Sequence, residues 1–220
     1  ILEAARVMDL ERIVYMSSVG VFVSKKYEPI DENHPVLRSD EAPYSTAYGS
    51  AKIASESFCW SYRIAHGIDF VALRPSTVYG VGMIFPIYIK PMVENSIKGH
   101  PTQFAKGRDL RRDYTYIRDV AQATVLSLDV PSAKLKDRIF IIATGRKLVT
   151  PGELARIVRE FIPTADIEVG LGLEEWEERE ILCRGLISID RARRQLGYEP
   201  KYDIRSGVKD YIETYREYLR

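Results

Sequence analysis

Hydrophobic and polar positions follow two alternating periods along this chain. β-branched and aromatic residues form short apolar runs of buried-strand length at residues 12–16, 69–73 and 138–143. Longer segments repeat apolar residues at helical spacing, at residues 1–8, 45–66, 86–98, 119–129, 151–161, 190–197 and 204–219. Strands that alternate in this way with helices predict an α/β fold built on a parallel sheet.

Capping residues mark where several of these helices begin or end. The run Thr150-Pro151-Gly152-Glu153 has the form of a capping box with proline at the first helical position, so a helix is expected to follow. Asp190 is the expected N-cap of the next helix, and Gly67 and Gly99 are the expected glycines that end two earlier ones. Elements in the last third of the chain are shorter, which predicts a smaller lobe beside the sheet.

Composition excludes several classes of protein. The 220 residues include 32 Lys and Arg against 31 Asp and Glu, and a net charge of +1 gives no electrostatic case for binding nucleic acid or an acidic membrane. Cys59 and Cys183 are too few for a disulfide framework or a zinc site, so a reducing, cytoplasmic environment is expected. No apolar run approaches the roughly eighteen residues of a membrane span. The three histidines lack the spacing of metal ligands, so no metal is expected, and they are predicted to be exposed.

The first candidate for chemistry is the pair Tyr48 and Lys52. Four residues apart on a helix, the two side chains lie on one face. An ammonium group beside a phenol favours the phenolate, so this tyrosine could act as an acid or base near neutral pH. A Tyr/Lys pair at this spacing also arises by chance, and the alternative reading is a solvated helix face.

Polar residues follow two of the predicted strands and strengthen the case for a site. Ser17 and Ser18 come directly after residues 12–16, and Ser76 follows the strand that begins at Asp69. Ligands of α/β folds bind at the carboxyl ends of parallel strands. Hydroxyl groups there, with the Tyr48 helix between the two strands in sequence, predict a ligand site at this edge.

Taken together, these segments resemble the extended short-chain dehydrogenase/reductase family, in its NAD-dependent epimerase/dehydratase group. Four segments carry the resemblance in order, VYMSSVGVF (14–22), YGSAK (48–52), LRPSTVYG (73–80) and RDYTYIRDVA (112–121), and a fifth, IDRARRQLGYEP (189–200), is similar to that family's terminal pattern. The resemblance implies a Rossmann-like sheet in residues 1–80. It implies a mainly substrate-binding lobe in residues 81–220, with residues 114–143 returning to the sheet.

The resemblance implies a role for five residues around the cofactor. Ser18 would hydrogen-bond the reacting oxygen, and Tyr48 would be the acid or base that moves its proton while hydride passes to or from NAD. Lys52 would bind the nicotinamide ribose and favour the Tyr48 phenolate. Ser18, Tyr48 and Lys52 would thus be catalytic and cofactor-binding together, with Pro75 and Ser76 lying beside the nicotinamide. NADP is not excluded.

The substrate implied by the resemblance is a nucleotide sugar. Thr77 stands where many family members have asparagine and would contact the substrate. Arg112 matches an arginine that binds a substrate diphosphate, which suits a bidentate guanidinium, and Arg184 is a weaker candidate for the same role.

Other readings of these and neighbouring residues stay open. Arg112 could form only a local ion pair with Asp113, Asp119 could simply cap its helix, and Arg184 could be a surface residue. Cys59 is predicted to be a core residue rather than a nucleophile. The acidic run at residues 174–180 is predicted to be a solvated helix face.

Two departures from the family pattern shape the functional expectation. No G-x-G-x-x-G phosphate loop is found in the sequence. Tyr48 also lies much closer to residue 1 than the corresponding tyrosine of family members lies to their N-terminus. The chain is therefore expected to lack the adenosine-binding half of the Rossmann unit, to bind NAD poorly and to be inactive by itself. Val19 and Gly20 stand where 4,6-dehydratases carry an Asp/Glu or Ser/Glu pair, and the lack of a carboxylate there disfavours water elimination.

Three functions remain open on the sequence. The favoured one is a nucleotide-sugar epimerase that uses Ser18, Tyr48 and Lys52. The second is an NAD(P)-dependent dehydrogenase of a small or hydrophobic alcohol, and the third is a non-catalytic fragment or interaction module. The resemblance also implies a homodimer formed through the helices at residues 1–8 and 45–66.

Overall fold

The computed structural model describes residues 1–36 and 47–220. Its strands are β1 Arg12–Met16, β2 Asp69–Pro75, β3 Thr77–Tyr79, β4 Thr102–Phe104, β5 Tyr114–Tyr116, β6 Ile139–Ile142 and β7 Ile167–Val169. Its α-helices are α1 Leu2–Val7, α2 Ala47–His66, α3 Ile89–Lys98, α4 Ile117–Asp129, α5 Pro151–Phe161, α6 Glu175–Ile181, α7 Asp190–Leu196 and α8 Ile204–Tyr218. Two short 3-10 helices span Val19–Val21 and Ser132–Lys134.

The main sheet is parallel and has the order β1-β2-β6. Successive residues of β2 face opposite layers, as strand geometry requires. Phe70 and Ala72 pack with Cys59 of α2 on one face, while Val71 belongs to the core cluster with Val120 of α4 on the other. Helices therefore cover both faces of β2, which explains its continuous apolar sequence and confirms the predicted α/β class.

A second lobe has its own core. Two parallel strand pairs, β3 with β5 and β4 with β7, lie beside α3, α5 and α8. Tyr79, Met92, Leu154, Val158 and Tyr211 are among the residues buried together there. The chain returns from this lobe through β5 and α4 to β6 in the main sheet. The division into residues 1–80 and 81–220 stays a prediction.

Most predicted elements form, and the differences lie at their ends. β1 has the predicted bounds, and the capping box at Thr150 forms with its Oγ1 accepting from the Glu153 amide at 3.1 Å. The predicted start of α2 at residue 45 lies outside the described residues. α3 begins three residues later than predicted, because Tyr88 has a φ of 21° that ends the preceding loop. The N-cap of α7 is Ile189 and not Asp190, which is the first helical residue.

Two predictions of exposure were wrong. His34 is buried, with its Nε2 accepting from the Lys26 amide at 2.9 Å. In the acidic run, Glu177 and Glu180 are buried against the second lobe. Cys59 is buried, as predicted. Among residues 1–36 and 47–220 no group of His, Cys, Asp or Glu could hold a metal ion, and no helix in those ranges is long and apolar enough to cross a membrane.

Asp119 does not cap its own helix. It is buried near the start of α4, where its carboxylate accepts from the backbone amides of Lys201 at 2.9 Å and Tyr202 at 3.2 Å. Burial raises the pKa of Asp119, and these two hydrogen bonds oppose the rise. Its role is to fasten the segment before α8 to the helix that follows β5.

Candidate active site

Ser18 is fixed where β1 ends. The backbone leaves the strand at Met16, and the Ser18 side chain caps the 3-10 helix Val19–Val21 by accepting from the Gly20 amide at 2.9 Å. A hydroxyl that accepts this bond keeps its own proton for a second partner. The turn therefore presents Ser18 Oγ at the carboxyl edge of the sheet as a hydrogen-bond donor.

Tyr48 lies beside Ser18 because two glycines allow the backbones to approach. A Cβ placed on Gly20 would lie 3.2 Å from Ser18 Oγ and 3.2 Å from Tyr48 Cε1, so both side chains crowd the same point. A Cβ placed on Gly49 would lie 2.6 Å from the Gly20 carbonyl oxygen. Any larger residue at position 49 would push α2 away and separate Tyr48 from the serine.

Lys52 lies one helical turn after Tyr48 and ties α2 to β1. Its Nζ donates to the Met16 carbonyl at 2.6 Å and lies 5.4 Å from the centroid of the Tyr48 ring. The side chain of Tyr15 is equally near, with Nζ 5.3 Å from that ring centroid. The backbone of β1 thus holds the Lys52 ammonium within cation–π distance of the Tyr48 ring.

A buried ion pair below this turn was missed by the sequence reasoning. Glu56 accepts from Arg74 in a bidentate pair, with Nε to Oε1 at 2.9 Å and Nη2 to Oε2 at 2.7 Å. Ser17 also donates to Glu56, at 2.5 Å. Because Ser17 precedes Ser18 and Arg74 precedes Pro75, this network joins α2 to the ends of β1 and β2. The only indication of this ion pair in the sequence was that Glu56 lies one helical turn after Lys52.

Ser76 is held by a second buried network. Its Oγ donates to Asp113 Oδ1 at 2.5 Å and lies 2.7 Å from Thr115 Oγ1. Thr144, which follows β6, also donates to Asp113 through both its amide and its hydroxyl. The alternative that Asp113 pairs with its neighbour Arg112 is therefore wrong. Asp113 instead fastens together the ends of β2, β5 and β6.

One cavity of about 690 Å³ brings the candidate residues together. Seven of the eight candidates named from the sequence line it, namely Ser18, Tyr48, Pro75, Ser76, Thr77, Arg112 and Arg184. The eighth, Lys52, does not line the cavity but contacts the ring of Tyr48, which does. The loop after β3 adds apolar residues, among them Met83 and Phe85. Hydroxyl groups thus lie at one end of a cavity that also contains two arginines.

Both arginines contact the same carboxylate. Arg112, which is 3% exposed, pairs with Glu180 Oε2, and Arg184 reaches Glu180 Oε1 through Nη2 at 2.7 Å and Nε at 3.0 Å. The Arg112 guanidinium also lies 5.6 Å from the ring centroid of Trp176. Arg184 is half-buried in this cluster.

A second cavity of about 690 Å³ adjoins the first. The two share lining residues, among them Phe85, Arg112 and Glu180. Tyr88 and Trp176 line the second cavity only, and Trp176 is 52% exposed. The two cavities therefore form one elongated space. Hydroxyls and Arg184 line its first part, Arg112 lines both parts, and the two aromatic rings line the second part.

Comparison with known proteins relates the sequence of this chain to one family of enzymes. Residues 1–143 match the sequence profile of the NAD dependent epimerase/dehydratase family. A protein of Methanocaldococcus jannaschii named "Putative UDP-glucose 4-epimerase" is 31% identical over 220 aligned residues, which cover 96% of this chain and 65% of that protein. The chain thus spans slightly less than two thirds of the length of this relative.

Solved structures share the fold. The complex of the Thermus thermophilus UDP-glucose 4-epimerase with NAD has a TM-score of 0.75 at 25% identity, covering 98% of this chain and 67% of that one. The holo form of a GalE-like L-threonine dehydrogenase from Cupriavidus necator has a TM-score of 0.79 at 23% identity, covering 96% of this chain and 67% of that one.

Proposed function

Because the chain belongs to the NAD-dependent epimerase/dehydratase family, we propose that it supplies the catalytic and substrate-binding part of a nucleotide-sugar epimerase. One observation carries the proposal: Ser18 and Tyr48 share a single cavity with Arg112 and Arg184. Acid–base groups at one end and a pair of guanidinium groups beyond them suit a substrate with a reactive hydroxyl and a diphosphate.

The proposed proton transfer uses three side chains. Ser18 donates a hydrogen bond to the oxygen of the sugar hydroxyl, and Tyr48 removes the proton from that oxygen. Lys52, 5.4 Å from the Tyr48 ring centroid, stabilises the phenolate before the proton arrives. NAD, when bound, would supply the acceptor for hydride from the carbon that carries this oxygen, and return of the hydride to the opposite face of the sugar would invert that carbon. Tyr48 then returns the proton to the oxygen.

We propose that the nicotinamide end of the dinucleotide is held by this chain's own residues. Tyr48 and Lys52 project from α2 towards the ends of β1 and β2, where Pro75 and Ser76 follow. Ser76 is anchored by Asp113, so its position does not depend on the ligand. The donor set is hydroxyl and ammonium, which suits the hydroxyls of a ribose.

The elongated space supports a nucleotide sugar as the substrate. Arg112 lies where its two halves meet, and Arg184 lines the first half and contacts Glu180, which both halves share. Each guanidinium can bind a phosphate in bidentate fashion. The rings of Tyr88 and Trp176 line the far half, where a base could stack. We place the sugar beside Tyr48 and Thr77, the diphosphate at the arginines and the base near Trp176.

A second candidate is a dehydrogenase of a hydrophobic alcohol. The observation that favours it is the apolar wall of the cavity near Tyr48, formed by Val81, Met83, Ile84, Phe85 and Ile87. The two reactions differ in the fate of the hydride, since an epimerase returns it to the substrate and a dehydrogenase releases NADH.

The test uses the full-length protein, meaning the whole polypeptide that contains these 220 residues. This protein is incubated with NAD and a panel of UDP-sugars and alcohols. We expect interconversion of two UDP-sugar epimers without accumulation of NADH. Release of NADH in proportion to an oxidised alcohol, with no sugar interconverted, would replace the epimerase proposal by the dehydrogenase. The product is identified by chromatography and the cofactor by its absorbance.

We also propose that the protein is a homodimer formed through α1 and α2. Val7 and Met8 are each 68% exposed, and Phe58 and Ile64 on α2 are 61% and 83% exposed, so both helices present apolar surface. Light scattering of the full-length protein should give twice the mass of one chain. A mass of one chain over the micromolar range would contradict this.

A further inference from the structure

We propose that Glu180 is a specificity-determining residue that occupies the place of a phosphate between Arg112 and Arg184 until a diphosphate displaces it. The inference rests on the proposed function, because it takes a nucleoside diphosphate group to be the ligand of these arginines. It goes further by assigning a role in binding to a carboxylate that the sequence had placed on a solvated face.

The geometry is that of a filled anion site. Glu180 accepts from Arg112 with one carboxylate oxygen. Its other carboxylate oxygen accepts two hydrogen bonds from Arg184, at 2.7 and 3.0 Å. Its side chain is 8% exposed, and that of Arg112 is 3% exposed. All three residues line the cavity that contains Tyr48. A carboxylate and a phosphate offer a guanidinium the same pair of acceptor oxygens, so they compete for one place.

The cluster offers a further hydrogen bond that Glu180 does not accept. Arg112 Nε is buried without an acceptor among the described residues. An unsatisfied buried donor is costly, so an additional acceptor would stabilise this site. A diphosphate carries more charge and more oxygens than one carboxylate, and its repulsion of Glu180 favours exchange over joint occupancy.

The position of Glu180 on α6 makes its release possible. The helix has seven residues, Glu175–Ile181, and Glu180 lies in its last turn. The side chains of the two residues that follow Glu180 are partly exposed, Ile181 by 41% and Leu182 by 56%, while the Leu182 carbonyl accepts from the Lys25 amide at 2.8 Å. Glu177, which hydrogen-bonds Tyr88 and is fully buried, anchors the first turn instead. Release of Glu180 therefore loosens the end of the helix and leaves its start attached.

The test compares two variants of the full-length protein that each remove one negative charge from α6. Glu180→Gln keeps the size of the side chain but binds the arginines more weakly, so we expect UDP to bind about tenfold more tightly by calorimetry. Glu178→Gln is the matched control, because Glu178 is exposed on the same helix and lines neither cavity. Its affinity for UDP should equal that of the unchanged protein.

A second measurement needs no variant. Inorganic pyrophosphate has no base to stack on Trp176, yet it should displace Glu180 and speed hydrogen exchange at the amides of Glu180 to Cys183. Ordinary ligand binding slows exchange near its site, so unchanged or slower exchange at these amides would overturn the proposal.

The outcomes distinguish a failure of this inference from a failure of the proposed function on which it rests. If the unchanged protein and Glu180→Gln bind UDP with equal affinity, or the variant binds more weakly, Glu180 merely positions the arginines and the inference fails alone. If none of the three proteins binds UDP or pyrophosphate, the proposed nucleotide-diphosphate site fails with it.

Discussion

Replacing Tyr48 by phenylalanine is expected to lower turnover of the nucleotide sugar by at least about two orders of magnitude, the usual contribution of a general acid–base group. The change deletes one oxygen and leaves the ring that packs beside Ser18 and Lys52. Without the phenol, the proposed proton acceptor beside Ser18 is lost. The measurement is kcat of the full-length protein, since loss of a proton acceptor acts on the chemical step.

The fold should be unaffected by this substitution. Tyr48 is 61% exposed, so the transition temperature of Tyr48→Phe should match that of the unchanged protein. Tyr62→Phe is the matched control, because Tyr62 lies on the same helix and its hydroxyl reaches Glu3 at 3.3 Å, outside the cavity lining. It should keep full turnover.

Turnover of Tyr48→Phe close to that of the unchanged protein would remove the acid–base role. A lack of activity of the unchanged protein in every assay would instead favour the third function, an interaction module without catalysis. The same helix would then serve only as part of the proposed dimer surface.

The sequence predicted the sheet well because its signal is local. In β1 and β2 the apolar runs are continuous, since helices cover both faces of the central strand, and such runs are readable without tertiary knowledge. The candidate residues on this edge, Ser18, Tyr48 and Ser76, were found for the same reason. Ser18 and Ser76 come shortly after the ends of β1 and β2, and Tyr48 lies on the helix between these two strands.

What the sequence did not show depends on contacts between distant residues. Glu180 belongs to an acidic run whose pattern is typical of a solvated helix, and only the fold brings Arg112, 68 residues away, against it. Asp113 follows Arg112 directly, yet its partners are Ser76 and Thr144 on other strands. Local charge patterns indicate which residues can pair, and the topology decides which of them do.

The pair of Glu56 and Arg74 is the strongest case of such a contact, and it leads to the largest expected change in stability. Replacing Glu56 by alanine would leave the guanidinium of Arg74, 4% exposed, without its carboxylate and would remove the acceptor of Ser17. Arg74 Nη1 already lacks a partner among the described residues, so none of these residues offers the guanidinium a spare acceptor. Breaking a buried pair from one side costs about 3–5 kcal/mol in free energy of unfolding.

The double variant Glu56→Met with Arg74→Met distinguishes an unpaired charge from a simple loss of packing. It removes both charges and keeps most of the buried volume, so it should recover most of the stability that Glu56→Ala loses, apart from the acceptor of Ser17. Denaturant unfolding measures both free energies. A double variant as unstable as Glu56→Ala would mean that this network holds α2 against β1 and β2 through its hydrogen bonds and shape. Recovery would mean that the cost lies in the uncompensated charge of Arg74.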